Sequence, residues 1–271
     1  MKSLRTTTLL FAFIFLSQCQ SVPITGRSQF SVVGNDKIFP MSFEQYEQVK
    51  KEGNVITDTE EARMVKRVGA RIQRAVEDYF AQQGQSSYLA DYQWEYNLIK
   101  DDATVNAWCM PGGKVAFYTG IMPICQDEVG VAVVMGHEIA HAIANHGSER
   151  ISNQYAAQTG LGIASILLTG GSAPTISSEL ILQSAGAATS LGILAFSRKH
   201  ESEADKLGLY FMAMAGYDPQ EAPQFWERMA EQSGGEAPPE FTSTHPSHDT
   251  RITDLNNNMP KALEYYRNSK N

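Results

Sequence analysis

Val134-Met135-Gly136-His137-Glu138-Ile139-Ala140-His141-Ala142-Ile143 is the stretch of this 271-residue chain from which the rest can be read. No proline or turn residue interrupts it, and its only ionisable groups are His137, Glu138 and His141. Such a stretch predicts a buried helix. Two imidazoles four residues apart then lie on one face, about one turn from each other. Burying them with a carboxylate and no partner is costly. One metal ion shared by both rings removes that cost, and Glu138 stands within reach of a metal-activated water. A surface helix with incidental histidines would need polar neighbours, and this stretch has none.

The His-Glu-x-x-His spacing is that of zinc peptidases. A catalytic zinc takes three protein ligands and keeps one position open. The residues after His141 lack the glycine and histidine that a third ligand on the same segment requires. His146, five residues on, is off the ligand face and reads as a helix-end or surface residue. The better source is Ser197-Arg198-Lys199-His200-Glu201-Ser202-Glu203-Ala204-Asp205. Glu201 and Asp205 share a helical face among Ala204, Leu207 and Gly208. Glu203 points roughly opposite, as on a solvated acidic face, and His200 is a weaker ligand candidate. The expected set is therefore His137, His141 and Glu201 around one Zn2+ per chain, with Asp205 accepting the remaining N–H of a ligating histidine. Zinc there activates water and polarises a carbonyl, while Glu138 takes the proton and passes it to the leaving amine.

Working outward, Asp127 to His146 reads as one long helix whose acidic first turn suits a helix N-terminus. Thr59 to Phe80 is an amphipathic helix with Thr59 as cap and Val65, Val68, Ile72, Val76 and Phe80 as its stripe. Glu44–Lys51, Ser197–Ala215, Glu221–Gln232 and Ile252–Tyr266 are further helices. Tyr92–Ile99, Val105–Trp108 and Lys114–Thr119 read as strands, the last two joined by the turn Met110-Pro111-Gly112-Gly113. Ser21–Gly34, polar and turn-rich, reads as a linker or an irregular segment laid on the surface. Gln154–Phe196, almost free of charge but broken by Gly170-Gly171 and Pro174, reads as helices and a mobile loop beside the site. It lacks the unbroken apolar run of a membrane span.

The net charge of -8 excludes a nucleic-acid binder. Lys2, Arg5 and the apolar run Leu9–Leu16 form a signal segment over 1–18. Leu16-Ser17-Gln18-Cys19 resembles a bacterial lipobox, with Gln18 in the place of the usual small residue. Cys19 is then the lipidated first mature residue, and the absence of Asp after it points to the outer membrane, facing the periplasm. Residues 19–40 follow as an N-terminal segment and 41–271 as a single catalytic domain. Cys109 and Cys125 are either a disulfide, permitted by export, or two small buried apolar residues.

These motifs taken together resemble metallopeptidase family forty-eight. The His137-Glu138-x-x-His141 and Arg198-x-x-Glu201-x-Glu203-Ala204-Asp205 segments match it in order. Asn106 to Lys114 is similar to its Asn-Ala edge-strand segment, and Thr244-His245-Pro246 with Arg251-Ile252 to its late His-Pro motif. Pro23-Ile24-Thr25-Gly26-Arg27 looks like the start of its bacterial lipoprotein members, here without the helical repeats of one branch. The resemblance implies an α+β, mainly α, gluzincin-type domain with a small sheet whose edge strand borders the cleft. It implies that Asn106 and that strand hold the substrate backbone. It gives His245 two possible roles: steadying the oxyanion, or acting as a fourth zinc ligand in a resting form. Without the resemblance His245 is a loop histidine, as is His248. Arg251 either pairs with a carboxylate near the site or starts a helix.

The expected function is zinc endopeptidase action on unfolded or misassembled envelope proteins. The alternatives are a non-catalytic zinc lipoprotein acting in chaperoning or assembly, and a zinc hydrolase with a non-peptide substrate. Glu138 favours the catalytic readings, since a scaffold needs the metal but not the base. The oligomeric state is not legible.

Overall fold

A computed structural model describes residues 19–156, 176–177, 180–181, 197–232, 245 and 250–270. The signal segment, most of Gln154–Phe196, His248 and most of Gly234–Ser247 lie outside these. Helices dominate the described residues. In chain order they comprise β1 (Cys19–Ser21), β2 (Ser28–Phe30), α1 (Asn35–Glu52), β3 (Val55–Ile56), α2 (Glu60–Gln82), β4 (Glu95–Ile99), β5 (Ala107–Met110), β6 (Lys114–Tyr118), α3 (Met122–Cys125), α4 (Glu128–Ile143), α5 (Arg198–Met214), α6 (Glu221–Gln232) and α7 (Arg251–Asn268), with two short 3-10 turns.

The larger sheet has the order β3-β4-β6-β5. β4 and β6 run parallel, and the outer pairs are antiparallel. β5 and β6 form a hairpin because Gly112 and Gly113 take φ +85° and +92°, which side-chain-bearing residues rarely adopt. β5 is thus an edge strand. Asn106 C=O accepts from Tyr118 N–H at 3.1 Å. The alternation of an antiparallel ladder then turns the peptide groups of Trp108 toward β6 and those of Ala107 and Cys109 outward.

α2 buries the expected stripe, and Thr59 Oγ accepts the Ala62 N–H at 3.2 Å. Each of its large apolar residues contributes about 1.5–3 kcal/mol on burial. α4 is buried from Gly130 through Ile143, and Asp127 caps it by accepting from Val129 and Gly130 N–H. The helix is shorter than expected. It stops at Ile143 because Asn145 takes φ +53°, and helical turns resume over 146–156.

α4 crosses α5 where Gly136 meets Gly208. A Cβ on Gly208 would stand 2.7 Å from His137 N, and one on Gly136 would stand 2.7 Å from Gly208 O. Only a glycine pair permits this approach, and it brings the acidic face of α5 against the two imidazoles of α4. Ser21–Gly34 is no surface linker. β1 and β2 pair as a small hairpin, and Val22, Gln29 and Val33 are buried.

Candidate metal centre

His137, His141, Glu201 and His245 are all buried, and one ligand atom from each lies within 4.8 Å of the others. His137 Nε2 and His141 Nε2 are 3.1 Å apart. Glu201 Oε1 is 3.3 Å from His141 Nε2, and Oε2 is 3.4 Å from His137 Nε2. His245 Nδ1 closes the group at 3.3 Å from His137 Nε2 and 3.2 Å from Glu201 Oε1. Three imidazole nitrogens and a carboxylate converging at such range are a donor set suited to zinc.

The electrostatics agree. Burial pushes Glu201 up, but the surrounding His245, His137 and His141 hold it well below the usual carboxylate range. Burial alone would lower His137, yet hydrogen bonds and charge from Asp205 and Glu201 raise it to about 10. The carboxylates around these rings favour positive charge at the centre, and the four donors could hold a metal ion. Burial drives His141 well below its ordinary value and keeps that ring neutral.

Glu138 lies beside this group. Its Oε1 is buried and makes no hydrogen bond to any described residue. It sits 3.6 Å from His245 Nε2. Burial raises the Glu138 pKa, against the pull of His245, His137 and the Cys109 backbone N–H that bonds its carboxylate. The outward-facing side of β5 therefore abuts Glu138. Asn106 stands at the head of that strand, its Oδ1 taking the Ala107 N–H at 2.9 Å. All four residues of β5 are buried.

Each imidazole of α4 has an outer partner. Asp205 Oδ1 lies 2.9 Å from His137 Nδ1, and Arg251 bridges Asp205 (2.7 Å) and Glu201 (2.9 Å). The Arg251 guanidinium rests 4.0 Å from the Trp226 ring centre, and Trp226 also flanks His137. Arg251 is at once the first residue of α7 and a carboxylate partner, so the two readings of it were not exclusive.

The outer partner of His141 corrects the sequence reading. His146 is fully buried, with Nδ1 2.8 Å from His141 Nδ1. Its other nitrogen meets Glu203 at 3.0 Å, and Glu203 is buried rather than on a solvated face. The expectation failed because it continued helical spacing through residue 146, whereas the chain turns at Asn145. Beyond lie Arg27, which bonds Glu203 and Glu149, and His200, which stacks on His146 and bonds Glu149 at 3.1 Å. His200 is thus no ligand. Glu149 and Trp226 went unnoticed in the sequence, and Thr25 and Arg27 were quoted only in the Pro23–Arg27 motif, with no role at the site. Only Arg27, a lone charge in the motif Pro23 to Arg27, carried any signal. Cys109 and Cys125 are free buried thiols, which selects the apolar reading.

Residues 67–259 match the model of peptidase family M48. The chain is 34% identical over 259 residues to the mitochondrial metalloendopeptidase OMA1 of Schizosaccharomyces pombe, covering 92% of this chain and 68% of that one. It is 36% identical over 192 residues to OMA1 of Saccharomyces cerevisiae, covering 68% and 52%. It is 32% identical over 168 residues to the beta-barrel assembly-enhancing protease of Escherichia coli, covering 60% and 34%. The chain thus spans about half or less of the latter two.

Proposed function

This chain belongs to peptidase family M48 and is a metalloendopeptidase, and we propose that it is a zinc enzyme cleaving unfolded or misassembled proteins of the cell envelope. The observation that carries the zinc site is the convergence of four buried donors beside a buried carboxylate that makes no hydrogen bond through Oε1 to any described residue. His137, His141 and Glu201 would hold the ion. Zinc, when bound, supplies Lewis-acid polarisation of the scissile carbonyl and acidifies water.

The protein's own groups supply the rest. Glu138 Oε1 accepts a proton from the attacking water and returns it to the leaving nitrogen. Its burial favours the protonated acid that the second half of that exchange requires. Asp205 accepts the Nδ1–H of His137 and so fixes which nitrogen faces the metal. A substrate adds as a strand against the outward groups of β5, with Asn106 at its head. His245, with Nδ1 among the donors, acts as a fourth ligand in a resting form. Because β5 and the donors are buried, cleavage requires that arrangement to open.

The envelope assignment rests on the signal-like segment before Cys19 and on the similarity to a bacterial relative named for enhancing β-barrel assembly. In this reading a lipid on Cys19 anchors the enzyme at the outer membrane. No described helix is long and apolar enough to cross a membrane. Purified protein should cleave unfolded casein. Glu138→Gln should bind zinc normally and leave casein intact, and equal cleavage by that variant would rule out the base.

A further inference from the structure

A hydrogen-bonded chain runs from His141 out to the N-terminal hairpin, and its direction is fixed by its ends. If Nε2 of His141 faces the donor group, its proton lies on Nδ1. His146 Nδ1, 2.8 Å away, accepts that proton. His146 must then carry its own proton on Nε2 and give it to Glu203 Oε2 at 3.0 Å. Glu203 accepts it as a carboxylate pinned from the far side. Arg27 Nε donates to Oε2 at 2.5 Å, and Thr25 Oγ donates to Oε1. The same guanidinium grips Glu149 with both terminal nitrogens, at 3.1 and 2.8 Å, and Glu149 accepts from His200, which stacks on His146 at 4.4 Å between ring centres. One arginine thus fixes both the hydrogen-bond acceptor of His146 and the ring stacked on its face.

The backbone that presents Arg27 is itself constrained. Ile24 takes φ +71°, a left-handed conformation that a β-branched residue rarely adopts. Such a conformation persists where surrounding contacts over-determine it. Val22 N–H to Arg27 C=O (2.8 Å) and Gly26 N–H to Val22 C=O (2.9 Å) close the loop, and Val22 is buried in the main core.

We infer that Arg27 is a positioning residue of the metal centre, holding the ring of His141 through Glu203 and His146. The N-terminal segment is therefore part of the active-site scaffold. The inference rests on the assignment of His141 as a zinc ligand. It makes the His141 side the counterpart of the His137–Asp205–Arg251 side, with an arginine terminating each chain.

The test is a double-mutant cycle on the full chain, read as zinc affinity by competition with a chromogenic chelator and, separately, as the visible spectrum of the cobalt-substituted protein. His146→Ala should weaken zinc binding about 10–100-fold, as is usual for loss of an outer partner. Arg27→Ala, one bond further out, should weaken it about 3–10-fold and shift the cobalt spectrum in the same sense. The double variant should bind zinc no more weakly than His146→Ala, because both changes break the same chain. If Arg27→Ala yields no folded protein, Arg27→Lys supports the same comparison, since an ammonium cannot hold both carboxylates in the fork geometry. Arg27 variants that melt earlier yet bind zinc as the parent does would overturn the inference, as would losses that add in full with His146→Ala. A parent chain that takes up no zinc would instead sink the ligand assignment beneath it.

Discussion

Replacing Gly208 by alanine separates two opposite expectations. Helix propensity alone favours the change, since alanine in a helix interior is better than glycine by about 1 kcal/mol. The crossing of α4 and α5 opposes it. The new methyl would stand 2.7 Å from His137 N, 2.8 Å from Gly136 C and 2.9 Å from His137 Cα. Ordinary contact begins near 3.4 Å, so the helices must part by about 0.5–0.7 Å, and the obstructing atoms are backbone. Overpacking of this kind costs about 1–3 kcal/mol, which outweighs the propensity gain. Gly208 lies two turns after Glu201 on α5, and Gly136 immediately precedes His137 on α4. The separation is therefore delivered to the 3.3–3.4 Å spacing between Glu201 and the two imidazoles. Gly208→Ala should lower stability in urea by up to about 2 kcal/mol and weaken zinc binding at least tenfold, about 1.4 kcal/mol. Gly136→Ala should act similarly, meeting Gly208 O. A Gly208→Ala protein more stable than its parent and equal to it in zinc affinity would refute the claim that this crossing sets the site.

The Arg27–Glu149–His200 cluster should make stability depend on acid. Burial opposes ionisation of Glu149, but hydrogen bonds and charge from His200 and Arg27 bring its pKa down to about 2. A depressed folded-state value means the stabilisation is present above about pH 4.5 and is lost as pH falls toward 2. Glu149→Gln should cost about 2 kcal/mol at pH 7, allowing for solvent screening, and that gap should close near pH 2; a gap unchanged across that range would contradict the reading. Cys109 and Cys125 are buried thiols whose ionisation burial suppresses. Both should resist a thiol-specific chromogenic reagent in the native protein and react on unfolding, whereas a Cys109–Cys125 cross-linked peptide in a non-reducing digest would show the expectation wrong.

The helices were legible in the sequence wherever period and caps agreed. α2 shows this, with Thr59 before a clean stripe, and so does α4 up to Ile143. The hairpin of β5 and β6 was legible because Gly112-Gly113 leaves little choice of turn. The pairing of β4 with β6 was not, because parallel partners are set by tertiary packing. Three of the four donors, His137, His141 and Glu201, were legible as residue types at fixed spacing on two helices, His245 entered only through the family resemblance, and the structure brings all four together. What spacing could not supply was the other side of the site. His146 lies beyond the break in the helix at Asn145, where helical extrapolation fails. Glu203 seemed solvated because an acidic residue at an odd helical position has no local partner. Its partner is Arg27, 176 residues earlier, in a segment whose polar composition imitates a linker. Long-range pairing of single charges leaves no periodic trace.

Two imidazoles of α4 and one carboxylate of α5 are expected to hold a single metal ion. Zinc content per chain after exhaustive dialysis, by elemental mass spectrometry, tests it most directly when the parent and Glu201→Ala are compared. The parent chain should carry about one zinc and the variant less than about a tenth of that. Equal zinc in both would contradict it.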